Sequence, residues 1–215
     1  MVFSGTFMTE KLIEGLRKRL KRELPGRSAQ ELMAPNLRFT GNKLPDPKLS
    51  KPSAVLILLF PDAGDLTTVF IERTAYGPHG GQISLPGGKL EKTDKNIQET
   101  ALREANEEIG VPGDEVEIIG QLTSLYVPHS NFCIVPVVGY LNKKPLFMKN
   151  DDEVVTIIEA KIYDLFHNRN KGVEHMNKGN FSIEAPYYRV NGHTVWGATA
   201  MIMSELEGLL NQETV

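Results

Sequence analysis

One cysteine, one tryptophan and an aromatic content of only 7% stand out in this chain of 215 residues. A lone thiol cannot close an internal disulfide, so the fold must rest on its packed core, and a reducing, cytoplasmic setting is expected. That thiol, Cys133, lies in Phe132-Cys133-Ile134-Val135, a run that reads as a buried strand, with no histidine beside it to make a nucleophile. Long apolar runs are missing as well. Nothing approaches the roughly 20 residues that cross a bilayer, and the first eight residues lead into charges rather than a cleavage site, so neither a span nor a signal peptide is expected. There is no basic excess either: 24 Lys and Arg stand against 27 Asp and Glu, a net charge of −3. Binding nucleic acid requires clustered cations against phosphates, and that class is not expected here. Repeats and low-complexity tracts are absent.

What is present reads as one domain with an N-terminal addition. Residues 1–50 form a helix and an extended connector expected to pack on a main domain of residues 51–215. Thr9 or Glu10 opens the helix, Leu12, Ile13, Leu16, Leu20 and Leu24 make one stripe, and Pro25-Gly26 stops it. Its opposite face carries Arg17, Lys18, Arg19, Lys21 and Arg22. Such a helix docks on its own domain or lies on an anionic surface; docking is the reading taken. Strands are expected at 54–60 and 67–73 around a turn at 61–65, then at 115–125, 132–140 and 154–161. A short helical patch covers 162–167. Asn191-Gly192 between 187–190 and 193–196 signals a hairpin, and 198–210 is a closing helix. Strands before, between and after isolated helices imply an α/β (α+β) sandwich with a mixed sheet between helices.

The densest chemistry lies in Arg103-Glu104-Ala105-Asn106-Glu107-Glu108-Ile109-Gly110-Val111, downstream of Gly87-Gly88. On a helix advancing about 100° per residue, Glu104, Glu107 and Glu108 fall on one side. Each like-charged pair at these spacings costs roughly 0.2–0.5 kcal/mol. Ile97, Ala101, Leu102, Ala105 and Ile109 form an apolar stripe beside them, so the acids border the core. They also sit late in the helix, where the macrodipole disfavours negative charge. A charged face in water explains neither feature. A hard divalent cation explains both, since Mg²⁺ binds through few carboxylates and takes other ligands from water and phosphate. Thr93 or Asp94 is the expected N-cap, and Gly110 ends the helix.

These residues resemble the Nudix box, whose form is Gly, five residues, Glu, seven residues, then Arg-Glu-apolar-X-Glu-Glu-X-Gly-apolar. The second half fits from Arg103 through Val111. Upstream, five residues after Gly88 lead to Asp94 instead of Glu, and eight residues rather than seven then precede Arg103. The Asp and the extra residue are similar to one subgroup, the coenzyme A diphosphatases. The lead-in is similar too: Arg73 follows an apolar strand, and Gly81 and Gln82 through Gly88 fit, with Leu85 where Phe is usual and the second arginine missing. Tyr126-Val127-Pro128 and Trp196-Gly197-Ala198-Thr199-Ala200 match further stretches of that subgroup, so the likeness covers about residues 54–210.

The resemblance implies a Nudix fold and metal-dependent cleavage of a pyrophosphate with Mg²⁺ or Mn²⁺. It implies metal ligation by Glu104, Glu107, Glu108 and the Gly88 carbonyl, with one glutamate doubling as base. Arg103 orients a glutamate by a charge-assisted bond. Arg73, His79 and Gln82 are the candidate substrate contacts, with Arg73 suited to reading a 3′-phosphate. Asp151, Asp152 and Glu153 are either a turn before a strand or an additional base or ligand. The partner implied is a small nucleotide substrate: coenzyme A or its thioesters first, ADP-ribose or NADH second. A non-catalytic binding module of the same fold is the third reading, and a homodimer is left open.

Overall fold

The computed structural model describes residues 3–36, 47–75, 80–178 and 181–212. The N-terminal helices are α1 (Phe3–Arg19) and α2 (Gly26–Glu31). A first group of strands follows: β1 (Lys51–Asp62), β2 (Asp65–Arg73), β3 (Ile83–Ser84) and β4 (Gly87–Lys89). Helix α3 (Ile97–Ile109) leads to β5 (Glu117–Gln121), β6 (Leu125–Val127), β7 (Phe132–Tyr140) and β8 (Val154–Lys161). The chain closes with α4 (Ile162–Leu165), β9 (Lys171–Lys178), β10 (Phe181–Val190), β11 (His193–Trp196) and α5 (Gly197–Asn211).

Strand β1 divides the interior. Its side chains alternate between faces: Ala54, Leu56, Leu58 and Phe60 join the core under α3, while Ile57 and Leu59 join a second core with α1, α5 and Tyr188. Burial on both faces is why the segment reads as an almost continuous apolar run. The main mixed sheet has the order β3-β2-β1-β7-β5, with β4 also paired to β1, β6 to β7 and β8 to β2. β1 and β2 form a hairpin whose Ala63 and Gly64 both have positive φ, 49° and 89°, as a tight right-twisting turn requires. β1 runs parallel to β7, with Lys51 opposite Phe132. The sandwich of a mixed sheet between helices is the expected one.

Several boundaries moved. The N-terminal helix begins earlier than Thr9 and ends at Arg19, and Pro25-Gly26 opens α2 as well as ending what precedes it. The single strand expected at 115–125 is broken by a 3₁₀ turn (Gly113–Glu115) and by the gap between β5 and β6. β9 carries no apolar alternation, and β10 begins at Phe181, six residues before the expected 187, through an alternating Phe181, Ile183, Ala185 run; the two pair into a separate sheet of order β11-β10-β9. The start of β7 is half-buried rather than buried, Cys133 included.

Ile13 and Leu16 of α1 are buried in the second core, and Arg17 pairs with Glu117 of β5 across the sheet edge. Glu205 of α5 is fully buried and accepts from Gly26 N (3.1 Å), Thr123 N (3.2 Å) and Gln30 Nε2 (2.8 Å), joining α2, α5 and the β5–β6 link. Among the described residues no helix is long and apolar enough to cross a membrane.

Candidate active site

Two glycines make the site possible. A Cβ on Gly87 would lie 2.2 Å from the Ala54 carbonyl oxygen, and one on Gly88 would lie 2.4 Å from Glu104 Oε1. Gly87 therefore lets β4 close against β1, and Gly88 lets the Glu104 carboxylate settle directly over the backbone. Strand β4 faces α3 here, so the glycine turn and the acid helix expected to cooperate do meet.

The helix is capped by Asn96, whose Oδ1 accepts from Gln98 N and Glu99 N at 2.9 Å each, and not by Thr93 or Asp94. Gly110 ends it in the left-handed conformation, φ 71°. Asp94 does different work. Its buried carboxylate accepts from Arg103 Nε (2.9 Å), Thr100 Oγ1 (2.9 Å) and Glu91 N (2.9 Å). The Arg103 guanidinium holds it well below the usual carboxylate range, at about 2. Held at its Nε by Asp94, Arg103 bridges Glu104 and Glu107 at 2.9 Å each and donates to the Lys89 carbonyl at 3.0 Å. Orienting glutamates is the role expected of this arginine; that Asp94 orients the arginine in turn emerges only from the fold.

The three glutamates share a face but not an environment. Side-chain exposure is 1% at Glu108, 14% at Glu104 and 49% at Glu107. Glu108 accepts from Gly87 N at 2.8 Å and meets Arg73 Nη1 at 3.3 Å. Burial nevertheless pushes its acid up to about 7, with Glu104 and Glu153 adding repulsion. Burial raises Glu104 too, against the pull of Arg103. Two carboxyls, Glu108 buried and Glu104 half-buried, held above their normal range are short of positive charge.

Among the described residues, no three His, Cys, Asp or Glu side chains converge into a ready cation cage, because the glutamates are turned toward Arg73, Arg103 and Gly87 N–H. The donor chemistry fits a hard divalent ion all the same: oxygen ligands only, two of them largely withdrawn from water and under-neutralised.

Of the second acidic group, only Glu153 bears on the site. Asn150 N donates to the Glu108 carbonyl (3.0 Å) and Thr74 N to the Glu153 carbonyl (3.0 Å), pinning the 148–153 turn to α3 and to the end of β2. Glu153 thereby raises both Glu104 and Glu108, whereas Asp151 is exposed and paired with Lys149. Arg73 is aimed by an irregularity in the β2–β8 pairing between Glu72 and Arg73. Its backbone closes the lead-in loop, donating to Gln82 O (3.1 Å) and accepting from Gly81 N (3.0 Å). Gln82 is thus at the rim; His79 lies outside the described residues.

A family model described as the NUDIX domain matches residues 50–165. The chain is 32% identical over 133 residues to an uncharacterized Nudix hydrolase NudL of Yersinia enterocolitica, covering 62% of this chain and 68% of that one. It is 35% identical over 130 residues to the human mitochondrial coenzyme A diphosphatase NUDT8, covering 59% of this chain and 54% of the relative. An Arabidopsis thaliana relative, Nudix hydrolase 15, mitochondrial, is 34% identical over 75% of this chain and 59% of its own length. The matches to these last two thus span little more than half of the relatives' lengths. Among solved structures, a MutT/nudix family protein from Enterococcus faecalis superposes with a TM-score of 0.53 at 17% identity, over 80% of this chain and 66% of that one. That likeness bears on the fold.

Proposed function

This chain belongs to the NUDIX domain family of hydrolases, and we propose that it is a divalent-metal-dependent diphosphatase that cuts coenzyme A, or its thioesters, to 3′,5′-ADP and a 4′-phosphopantetheine. The observation that carries the diphosphatase reading is the pair of under-neutralised carboxyls, Glu104 over Gly88 and Glu108 on Gly87 N–H. The substrate reading leans on the coenzyme A diphosphatase among the relatives and on the spacing of Asp94 within the box.

Glu104, Glu107, Glu108 and the Gly88 carbonyl would hold Mg²⁺ or Mn²⁺. When bound, the ion screens the diphosphate and polarises its bridging P–O bond. The chain's own groups do the rest. Arg73, one of whose nitrogens is already engaged by Glu108, offers its remaining N–H donors to diphosphate oxygens. Arg103 keeps Glu104 and Glu107 oriented, and Asp94 keeps Arg103 oriented. Glu153 makes no ion pair among the described residues and borders Glu104 and Glu108, so we assign it the proton of the attacking water. Water oxygen bonds to phosphorus, the bridging P–O bond breaks, and two phosphomonoesters leave.

A second reading has its own observation. Arg73 is the only arginine of the lead-in and shares its donors between Glu108 and the diphosphate, which leaves ADP-ribose or NADH as alternative diphosphates. We place the chain in a reducing, cytoplasmic compartment on the strength of its single free thiol; the mitochondrial setting belongs to the names of two relatives. Coenzyme A, dephospho-coenzyme A, ADP-ribose and NADH, each incubated with Mg²⁺ or Mn²⁺ and resolved by product chromatography, decide the matter. Fastest turnover of coenzyme A is expected. Faster turnover of ADP-ribose or NADH replaces the first reading with the second, and no turnover of any of them sinks both.

A further inference from the structure

Lys51, Phe132 and Lys89 stand side by side on three different strands, next to Gly87 and Gly88, and none of their side chains belongs to the machinery described above. The sheet register brings them together. Lys51 of β1 pairs with Phe132 of β7, and Lys89 of β4 pairs with Ser53, two residues along β1 on the same face as Lys51. Asn131, at φ 56°, turns the chain into β7, and its carbonyl accepts from Lys51 N at 2.8 Å, which locks that register. Both ammonium groups reach the same ring, Lys51 Nζ at 5.9 Å and Lys89 Nζ at 5.8 Å from its centroid.

Such an arrangement is poor as pure architecture. Two like charges share one half-exposed aromatic, both lysines are exposed, and neither has a carboxylate partner among the described residues, in a chain whose net charge is −3. A lysine ammonium is a compact, strongly hydrated charge that a ring face satisfies only weakly. A phosphate satisfies two at once. When the ammonium groups turn to a phosphate, the Phe132 face is uncovered, and aromatic faces stack nucleobases.

The patch is also tied to the reacting centre. Gly88, immediately before Lys89, lies under Glu104, and the Lys89 carbonyl is held by Arg103 at 3.0 Å. Alternation along β4 then sends the Lys89 side chain to the sheet face opposite α3. A substrate whose diphosphate sits at the glutamates can therefore pass over the end of β4 and leave its nucleoside at Phe132.

We propose that Lys51, Lys89 and Phe132 form a subsite for a phosphorylated purine nucleoside, the two lysines taking a phosphate that is not cleaved and the ring taking the base. This rests on the diphosphatase reading and deepens it. It moves recognition of a 3′-phosphate from Arg73, whose remaining donors are assigned above to the diphosphate, to the other face of the sheet.

The test uses the full chain in two arms. In the first, kcat/KM is measured for coenzyme A and dephospho-coenzyme A with wild type, Lys51→Met and Lys89→Met. The preference for coenzyme A should fall about tenfold in each variant, the loss of one charge-assisted contact, with the change in KM. An unchanged ratio in both variants, with coenzyme A still cleaved by wild type, overturns the subsite and leaves the diphosphatase reading standing. In the second arm, binding of 3′,5′-ADP and of 5′-AMP is measured by calorimetry without added metal. Tighter binding of 3′,5′-ADP that Lys51→Met abolishes supports the subsite even if wild type cleaves no coenzyme A, which would be a failure of the activity reading alone. Equal binding of the two nucleotides overturns it. Phe132→Leu should weaken both nucleotides together, and the lysine variants, changed only at exposed side chains, guard against a variant that fails to fold.

Discussion

The backbone N–H of Gly87 donates to the buried carboxylate of Glu108 at 2.8 Å, tying strand β4 to the last turn of α3. The bond joins the two halves of the motif through a residue that has no side chain to offer. It also explains how a carboxyl that is 1% exposed is tolerated at all: one amide and Arg73 partly replace lost water. A cation would complete the replacement.

That deficit predicts metal dependence. Chelator should abolish turnover, and Mg²⁺ or Mn²⁺ should restore it. Glu108→Gln keeps the volume and one acceptor for Gly87 N–H, so its thermal melt should stay near wild type while kcat falls roughly 100-fold or more, the scale set by losing one organised electrostatic contact. Near-normal turnover in that variant would remove Glu108 from the ligand set.

Gly88→Ala addresses the same site from below. A methyl group 2.4 Å from Glu104 Oε1 must push the carboxylate aside. Activity should drop by at least tenfold with little loss of stability, because a flexible side chain gives way more cheaply than backbone. Gly87→Ala, whose Cβ meets the Ala54 carbonyl at 2.2 Å, should instead reduce the yield of folded protein. Equal behaviour of the two variants in activity and melting assays would contradict the geometry.

Asp94 supplies a prediction in pH. Its folded-state pKa is about 2 against an ordinary 3.8, depressed chiefly by Arg103. A depressed carboxyl stabilises the fold fully above its unfolded value and loses that contribution as pH falls through the folded one. Asp94→Asn should therefore cost about 2 kcal/mol at pH 6. The gap between wild type and variant should shrink between about pH 4 and pH 2 in denaturant titrations. A gap independent of pH over that window would show that Asp94 acts by shape alone.

The N-terminal residues supply a prediction in stability. Leu16→Ala empties a fully buried position and should cost about 2–5 kcal/mol. Glu205→Leu strands the Gly26 and Thr123 amides, each worth about 1–3 kcal/mol when unpaired, and leaves Gln30 Nε2 only its bond to the Thr123 carbonyl. Both should lower the melting temperature while leaving residual turnover in the folded fraction. Unchanged melting on deletion through Arg27, with tight binding of that peptide to anionic vesicles, would favour the surface-lying role for the helix.

The sequence alone was sufficient for the local and periodic features. The i, i+3, i+4 spacing of Glu104, Glu107 and Glu108 put them on one helix face, Gly110 ended that helix, and the Asn191-Gly192 hairpin and strands β7 and β8 stand where turn chemistry and apolar runs indicated. These are decided within a few residues, by backbone geometry and side-chain alternation. What needed the tertiary structure is whatever depends on partners distant in the chain. Asn96 rather than Asp94 caps α3, because Asp94 is claimed by Arg103 nine residues on. Strand β9 has no pattern of its own and exists through pairing with β10. Above all, the difference between an exposed Glu107 and a buried Glu108 arises from the packing of β2, β4 and the 148–153 turn around α3. Adjacent glutamates look alike in sequence, and only the surrounding fold decides which of them loses its water.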